Sequence, residues 1–321
     1  MFSIRECKLT RLINTVLVCV LLMGAMMSVV NADIYRWVDD KGRVHFGDKA
    51  ETQKQPNKPV EKVEVKIADS QWQRFDISVT SIDVSITAEE TQRIIRDVNN
   101  VYAFYDEVMY FDFYKTVPVS ITILKDKAGY NRYLQKVIGK TYGSSRGVYL
   151  LKTNEIVVYM RSNRNGTFET IKHETSHAIV DSIAEYTPGW LNEGLAEQME
   201  KIERNEGRLV IHRHQENQQI IKNKSTMLAL RKMLDLHNAQ WRKNNISSNS
   251  YLQAQAGELL FYLLSSSPRK SFVVRILQEY KRGSRTRSLY LVRDNYIGDI
   301  GGMETGWEIW LRQKNSEPIA F

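Results

Sequence analysis

The distribution of apolar positions predicts a sheet-forming half followed by a helical half. Residues 119–124 (VSITIL) form a run of mostly β-branched and apolar residues, which is typical of a strand. Residues 147–160 contain two more apolar runs on either side of Lys152–Glu155, and this pattern predicts a hairpin that turns there. Alternating apolar positions at Phe75, Ile77 and Val79 indicate an earlier strand.

A helix is predicted between the strand at residues 75–79 and the strand at residues 119–124. Thr87 and Glu90 have the spacing of a capping box, in which each side chain accepts a hydrogen bond from the other residue's backbone N–H. Apolar residues then recur at intervals of three and four, which places them on one face of a helix. These residues are Ile94, Val98, Val101, Tyr105 and Val108.

The second half of the chain has the apolar periodicity of helices. Residues 250–266 and 270–282 are clear examples, and Pro268 and Gly283 follow them as stop signals. The stretch 301–306 (GGMETG) is expected to be a loop that leads into a last helix. The expected fold class is α+β, with a mixed-sheet subdomain at 69–162 and a helical subdomain at 163–321.

A separate small module is expected at residues 33–50. Residues 33–48 (DIYRWVDDKGRVHFGD) alternate apolar and polar on both sides of Asp39–Gly42, which predicts a β-hairpin. The pattern Tyr-x-Trp-x-Asp, Gly and Phe-x-Asp resembles the domain of unknown function 4124, which is common on exported bacterial proteins. That resemblance covers only this short segment and implies no chemistry. Residues 51–68 are polar and have the composition of a linker.

The first 32 residues have the layout of a secretory signal segment. Basic residues precede an apolar run at residues 16–30, and small residues that suit cleavage after Ala32 follow it. A periplasmic or secreted protein is therefore expected. The alternative is an uncleaved membrane anchor formed by residues 12–30, because the apolar run approaches the length of a membrane span.

Cysteine content and charge exclude several kinds of site. Cys7 and Cys19 both lie in the signal segment, so the mature chain has no disulfide and no thiolate ligand. The net charge of +8 falls to +6 without that segment. The basic residues are dispersed, without a dense cluster or an aromatic ladder, so a nucleic acid is not expected as a partner. Membrane contact is expected only through an uncleaved signal segment.

A metal-ligand pattern lies in residues 171–200 (IKHETSHAIVDSIAEYTPGWLNEGLAEQME). His173 and His177 are four residues apart, so on a helix both imidazoles lie on one face and can bind one ion. Thr167 is expected to cap this helix, and the turn at 187–189 is expected to end it. Glu193 then opens a second helix and can supply a third ligand. The alternative is two solvated helices that contain these residues without a metal.

The stretch Trp-Leu-Asn-Glu-Gly-Leu-Ala around Glu193, together with His-Glu-x-x-His, strongly resembles the gluzincin metallopeptidases. This superfamily includes thermolysin and the zinc aminopeptidases. The resemblance implies that His173, His177 and Glu193 bind Zn²⁺ and that Glu174 is the general base of catalysis. It also implies a peptidase MA-like core, with the zinc site between a mixed-sheet subdomain and a helical subdomain.

Further roles follow from the same resemblance. Glu197 is expected to orient a ligand histidine, and Asp181 competes for this role. Tyr251, at the start of a later helix, is the candidate for stabilising an oxyanion, as in the aminopeptidases. A histidine serves instead in thermolysin-like enzymes, and the candidates are His212, His214 and His237. The alternative for each is an ordinary packing or surface role.

Gluzincins place an edge strand beside the bound peptide, just before the zinc helix. Residues 155–160 (EIVVYM) occupy that place in the chain, so they are expected to be an edge strand to which an extended peptide adds. The alternative is a strand that is paired on both sides within the sheet.

The expected function is that of an exported zinc metallopeptidase that hydrolyses peptide bonds of a peptide or protein substrate, such as one in the cell envelope. The alternative from another class is a non-catalytic envelope binding or assembly protein on a gluzincin scaffold. The presence of Glu174 disfavours this alternative, because a structural metal needs only its ligands. Zinc-dependent hydrolysis of a non-peptide bond is a third possibility.

Overall fold

The computed structural model describes residues 34–38, 44–47 and 61–63 by their backbone, together with residues 77–111, 119–143, 145–222, 227–247, 251–313 and 317–321. The chain divides into two compact units, Met1–Trp72 and Gln73–Phe321. The predicted signal segment and its cleavage site lie outside the described residues. None of the helices in the described part of the chain is long and apolar enough to cross a membrane.

The first unit contains a small antiparallel sheet with the order β2-β1-β3. Strand β1 (Ile34–Val38) pairs with β2 (Val44–Gly47) as the predicted hairpin, with Trp37 opposite His45. Strand β3 (Glu61–Val63) pairs with the other side of β1. It lies within the segment that the composition indicates as a linker.

The second unit begins with a four-stranded mixed sheet. Its strands are β4 (Ile77–Ile82), β5 (Val119–Leu124), β6 (Gly147–Leu150) and β7 (Glu155–Tyr159), in the order β4-β5-β7-β6. Strands β4, β5 and β7 run parallel, and β6 is antiparallel to β7. The predicted hairpin is confirmed, with its turn between Leu150 and Glu155.

The expectation that residues 155–160 form an edge strand is wrong. Strand β7 is paired with β5 on one side and with β6 on the other. The physical reason is its apolar centre: Ile156, Val157 and Val158 are fully buried, as in a strand covered on both faces. The hairpin therefore leaves its first strand, β6, at the edge of the sheet.

Helices cover both faces of this sheet. Helix α1 (Ala88–Ala103) starts with the predicted capping box between Thr87 and Glu90 and continues as a π-helix, Phe104–Val108. Its apolar face and the long helix α3 (Arg164–Ile183) share the main core with Ile121 and Ile156. Helix α2 (Lys127–Ile138) packs on the opposite face, against Val157. Successive side chains of a strand point to opposite faces of the sheet, so the strands contribute to two separate cores.

The rest of the chain is mainly helical. In chain order the elements are α4 (Gly189–Glu200), β8 (Ile202–Asn205), β9 (Arg208–Ile211), α5 (Gln215–Ile221), α6 (Leu230–Asp235), α7 (Asn238–Ser247), α8 (Tyr251–Leu264), α9 (Ser267–Lys281), α10 (Ser288–Asn295), α11 (Asp299–Arg312) and β10 (Ile319–Ala320). Strands β8, β9 and β10 form a second sheet, antiparallel and in the order β10-β9-β8. Helix α8 is buried along almost its whole length and packs closely on α4. A mixed α and β architecture with a helical second half agrees with the expected fold class.

The expectation of a loop at residues 301–306 is wrong, because they lie inside α11. Gly298, with φ of 81°, precedes the helix, and its carbonyl accepts a hydrogen bond of 2.7 Å from the N–H of Gly302. Met303 and Trp307 of this helix are buried in the main core. Burial of these side chains outweighs the poor helix propensity of the glycines.

Candidate metal centre

Helix α3 carries the two histidines through the centre of the unit. It begins at Arg164, one turn earlier than the cap predicted at Thr167. That prediction is wrong, because Thr167 is inside the helix, where its hydroxyl accepts a hydrogen bond of 3.0 Å from the N–H of Arg161. Arg164 forms an ion pair of 2.6 Å with Glu90, at the start of α1. The first turn of α3 is thus tied to the neighbouring helix.

The side chains of His173, His177 and Glu193 converge. One ligand atom of each lies within 4.8 Å of the others. Glu193 Oε2 is 3.6 Å from His173 Nε2 and 3.8 Å from His177 Nε2. The tight packing of α4 on α3 brings the glutamate to the histidines, since Leu191 and Leu195 on either side of Glu193 are fully buried in the same core.

This donor set fits a zinc ion. Zinc bonds to nitrogen and oxygen of about 2.0–2.2 Å in tetrahedral geometry separate two ligand atoms by about 3.4 Å. The distances of 3.6 and 3.8 Å from Glu193 Oε2 to the two Nε2 atoms are close to this separation. A half-buried carboxylate beside two imidazoles also offers one anionic oxygen and two nitrogen donors, which is a donor set that zinc accepts.

Glu174 lies beside this donor set, and its orientation is fixed by the edge strand. Its Oε2 accepts a hydrogen bond of 2.9 Å from the backbone N–H of Tyr149 in β6. Burial raises the pKa of Glu174, although His177 and His173 oppose the rise. A raised pKa favours a carboxylate that accepts and then returns a proton near neutral pH.

The close approach of β6 to α3 depends on Gly147. A Cβ atom at this position would lie 2.7 Å from Thr170 Cγ2 and 3.2 Å from Glu174 Cγ. Real carbon atoms do not approach so closely, so a side chain here would push the edge strand away from the helix. The glycine therefore sets the distance between the Tyr149 N–H and the Glu174 carboxylate.

The second ring nitrogen of His177 faces Asn192. The distance from His177 Nδ1 to Asn192 Oδ1 is 3.0 Å. An acceptor at Nδ1 favours the tautomer in which Nε2 carries the lone pair, as a metal ligand requires. Sequence reasoning missed this residue, although Asn192 stands directly before Glu193 in the motif that carries the resemblance.

The second ring nitrogen of His173 faces Glu200 at 2.9 Å, whereas Glu197 Oε1 lies 3.9 Å away. The contact with Glu200 is short, but His173 Nδ1 has no well-aligned hydrogen bond. The sequence pointed to Glu197 or Asp181 for this role. Glu200 was missed, although it lies two helical turns after Glu193 and thus on the same face of α4.

A buried polar cluster extends from Glu200. Its carboxylate lies 3.1 Å from His214 Nε2. Burial opposes ionisation of Glu200, yet the contacts with His173 and His214 lower its pKa. Glu197 is held differently, by hydrogen bonds of 2.7 Å from both Asn217 and Gln253. Burial raises the pKa of Glu197 to about 6.

Asp181 lies one turn after His177 and lines the same cleft. It is partly buried, and burial raises the pKa of its carboxyl group while His177 opposes the rise. Within the described ranges, its carboxylate forms neither an ion pair nor a hydrogen bond. It therefore does not hold a ligand histidine in this structure.

The residues that are expected to stabilise an oxyanion do not lie together in the structure. Tyr251 is the first residue of α8, as the resemblance implies, but it is not among the described residues that line the cleft. His214 does line it. His212 is exposed and lies 2.9 Å from Glu203, and His237 is exposed just before α7. The role of Tyr251 remains a prediction.

The three candidate ligands and the carboxylates around them line an open cleft of about 860 Å³. Residues of strand β6 and of helices α3 and α4 contribute to its lining. The lining also includes Trp241 of α7, whose ring covers Gly189 at the start of α4 so closely that a Cβ there would overlap it. The cleft is large enough for a segment of several residues.

Comparison with known proteins identifies only the N-terminal region. The family described as Domain of unknown function (DUF4124) matches residues 19–71. This match confirms the resemblance seen in the hairpin module, and it contains strands β1, β2 and β3. No curated protein matches the chain significantly. The match does not reach the segment from His173 to Glu200, so the resemblance to metallopeptidases rests on the residues of that segment.

Proposed function

We propose that this protein is an exported zinc-dependent metallopeptidase of the gluzincin type. One observation carries the proposal: the ligand atoms of His173, His177 and Glu193 converge within 4.8 Å. Two further features accompany it, the Glu174 carboxylate positioned beside them and strand β6 at the end of the sheet in the same cleft. A purely structural metal site needs neither of these features.

Each residue of the centre has a distinct role in this proposal. His173, His177 and Glu193 hold the zinc ion, and Asn192 and Glu200 orient the two imidazoles. When bound, zinc supplies Lewis-acid chemistry towards a carbonyl oxygen and towards water. Glu174 accepts a proton from the attacking water at its carboxylate and delivers it to the nitrogen of the leaving amine.

The substrate backbone would lie along β6. Gly147, Val148 and Tyr149 of this strand line the cleft. Among the strands that the structure describes, it pairs with β7 alone, so its other side offers backbone groups to an added strand. A peptide bound in this way gains main-chain hydrogen bonds whatever its side chains are, and pockets in the cleft provide specificity.

The first test concerns the metal. We expect the purified protein to bind about one zinc ion per chain. His173→Ala and Glu193→Ala should each lose most of the zinc, as measured by elemental analysis after dialysis, while Glu185→Gln, a change at an exposed carboxylate outside the cleft, should keep it. Stoichiometric zinc in both ligand variants would refute the ligand assignment.

The second test concerns catalysis. Glu174→Gln removes the proton acceptor but no ligand, so it should keep zinc and lose about 10²- to 10⁴-fold or more in turnover. The measurement is cleavage of a diverse peptide pool by mass spectrometry, together with the change in envelope proteins between cells that carry the wild type and this variant. Equal cleavage by both proteins would place catalysis elsewhere, and no cleavage by either would reject the peptidase function.

A further inference from the structure

Five carboxylates line the inner part of the cleft, and four of them already have an assigned contact. Glu193 belongs to the ligand set, Glu174 accepts the Tyr149 N–H, Glu197 accepts from two amides, and Glu200 contacts two histidines. The fifth is Asp181, whose carboxylate has no ion pair or hydrogen bond with any described residue. Because Asp181 is only partly buried, its carboxylate is accessible to a ligand that enters the cleft.

The position of Asp181 places it within reach of a bound substrate. It follows His177 by four residues on α3, so it lies about 6 Å further along the helix axis. The same carboxylate is close enough to Tyr149 of β6 to raise the pKa of the tyrosine, after burial, which is the larger cause. Asp181 thus lies on the same helix as the two ligand histidines, lines the cleft and faces the strand that would bind the substrate backbone closely enough to affect Tyr149.

The charge of the cleft has the opposite sign to that of the protein. The chain carries a net charge of +8. Among the described residues, the cleft is lined by six carboxylates, the five inner ones and Glu216, and by two arginines, Arg146 and Arg242. Both arginines are exposed at the rim. The carboxylates outnumber the positive charges even when a divalent ion is counted, so the interior attracts cations.

We propose that Asp181 selects substrates that carry a cationic nitrogen group close to the bond to be cleaved. This inference rests on the proposed peptidase function and names its substrate class. The separation of about 6 Å along α3 is similar to two residues of an extended peptide, which advances about 3.3 Å per residue, so we expect the charge within about two residues of the bond. A free N-terminal ammonium, a lysine ammonium and an arginine guanidinium share the required chemistry.

The experiment measures binding separately from cleavage. The zinc-loaded Glu174→Gln protein is titrated with a series of peptides that share one neutral sequence. Each peptide carries a single lysine at a different position, and the reference peptide carries norleucine in place of lysine. Each peptide is made with a free and with an acetylated N-terminus. The same series is measured with Asp181→Asn and, as a matched control, with Glu185→Gln in the same background.

We expect the preferred lysine position, or the free N-terminus, to improve binding about tenfold or more over the neutral reference, because one charge-assisted hydrogen bond has this magnitude. Asp181→Asn should abolish that preference and leave binding of the neutral peptide unchanged, and Glu185→Gln should retain the preference. The acetylated series identifies the source: loss on acetylation indicates the N-terminus, and loss on exchange of lysine for norleucine indicates the side chain.

Two outcomes would overturn the inference: equal binding of cationic and neutral peptides, or a cation preference that survives in Asp181→Asn. Cleavage of the same peptides by the protein with Glu174 intact tests the proposed function on its own. Selective binding without any cleavage would keep the role of Asp181 and reject peptidase activity. Cleavage without charge preference would keep the activity and reject the role of Asp181.

Discussion

At the scale of single residues, two kinds of geometry position the side chains of the candidate metal centre: the period of one helix and the crossing of two helices. The spacing of His173 and His177 is sufficient to place both imidazoles on one face. The choice between Glu197 and Glu200 is different, because both lie on the side of α4 that faces α3. Only the distance and angle between the two helices decide that Glu200 comes within 2.9 Å of His173 Nδ1.

This difference predicts unequal effects of two similar substitutions. Glu200→Gln removes the carboxylate nearest to His173 Nδ1 and should weaken zinc binding about 10- to 100-fold, as for other groups that orient metal ligands. Glu197→Gln should have a smaller effect, because Glu197 lies 3.9 Å from the same nitrogen. Zinc affinity is measured by competition with a coloured chelator. A larger loss for Glu197→Gln would reverse the assignment.

At the scale of elements, the sequence predicts where the strands of the mixed sheet lie along the chain, but it does not predict their order in the sheet. The apolar run Ile156–Val158 already had the pattern of a strand buried on both faces, whereas the position of β6 depends on the pairing of β7 with β5. Such pairing joins segments far apart in sequence and leaves no local signal. The helix at 301–306 was missed for a similar reason, since its support comes from tertiary burial of Met303.

The contact between α4 and α8 is a sensitive test of element packing. Gly194 has no room for a side chain, since a Cβ there would lie 2.6 Å from Leu260 Cδ2 and 2.8 Å from the Ala256 carbonyl oxygen. Gly194→Ala should therefore lower the free energy of unfolding by about 1–3 kcal/mol, despite the better helix propensity of alanine. Urea denaturation followed by circular dichroism measures this change.

The matched control is Gly129→Ala in α2. A Cβ at this position would be 3.5 Å or more from its neighbours, which is an ordinary contact. This variant should be as stable as the wild type or more stable, by up to about 1 kcal/mol, because alanine is the better helix former. Equal stability of the two alanine variants would show that α4 and α8 can separate freely.

At the scale of the whole molecule, the division into a sheet-containing half and a helical half follows from periodicity alone. The small sheet of β8, β9 and β10 does not, because β10 pairs Ile319 with Ile211 across most of the helical region. The strand at Glu61–Val63 was likewise hidden within a polar segment with the composition of a linker. Both cases are short strands whose pairing is non-local.

Since the proposed ligands come from α3 and α4, metal binding should stabilise the larger unit as a whole. A ligand that is present at about 100 times its dissociation constant stabilises the folded state by about 2.7 kcal/mol. For a unit of this size, that corresponds to an increase in Tm of about 5–10 °C. Differential scanning calorimetry with zinc and with a chelator measures the shift. His173→Ala should not respond to zinc, and an equal response of both proteins would locate the stabilising ion elsewhere.

The hydrogen bond from the Tyr149 N–H to Glu174 has a kinetic consequence. A backbone amide has a single N–H, so a peptide carbonyl that pairs with Tyr149 displaces the carboxylate from it. Binding of the substrate at Tyr149 and release of the Glu174 carboxylate would then occur together. In the proposed mode of binding, part of the binding free energy gained along β6 would be used to release Glu174, and interactions of this kind increase kcat more than they decrease KM. Shortening a substrate at its backbone-pairing end would accordingly slow turnover at saturation, even if the bond that is cleaved stays the same.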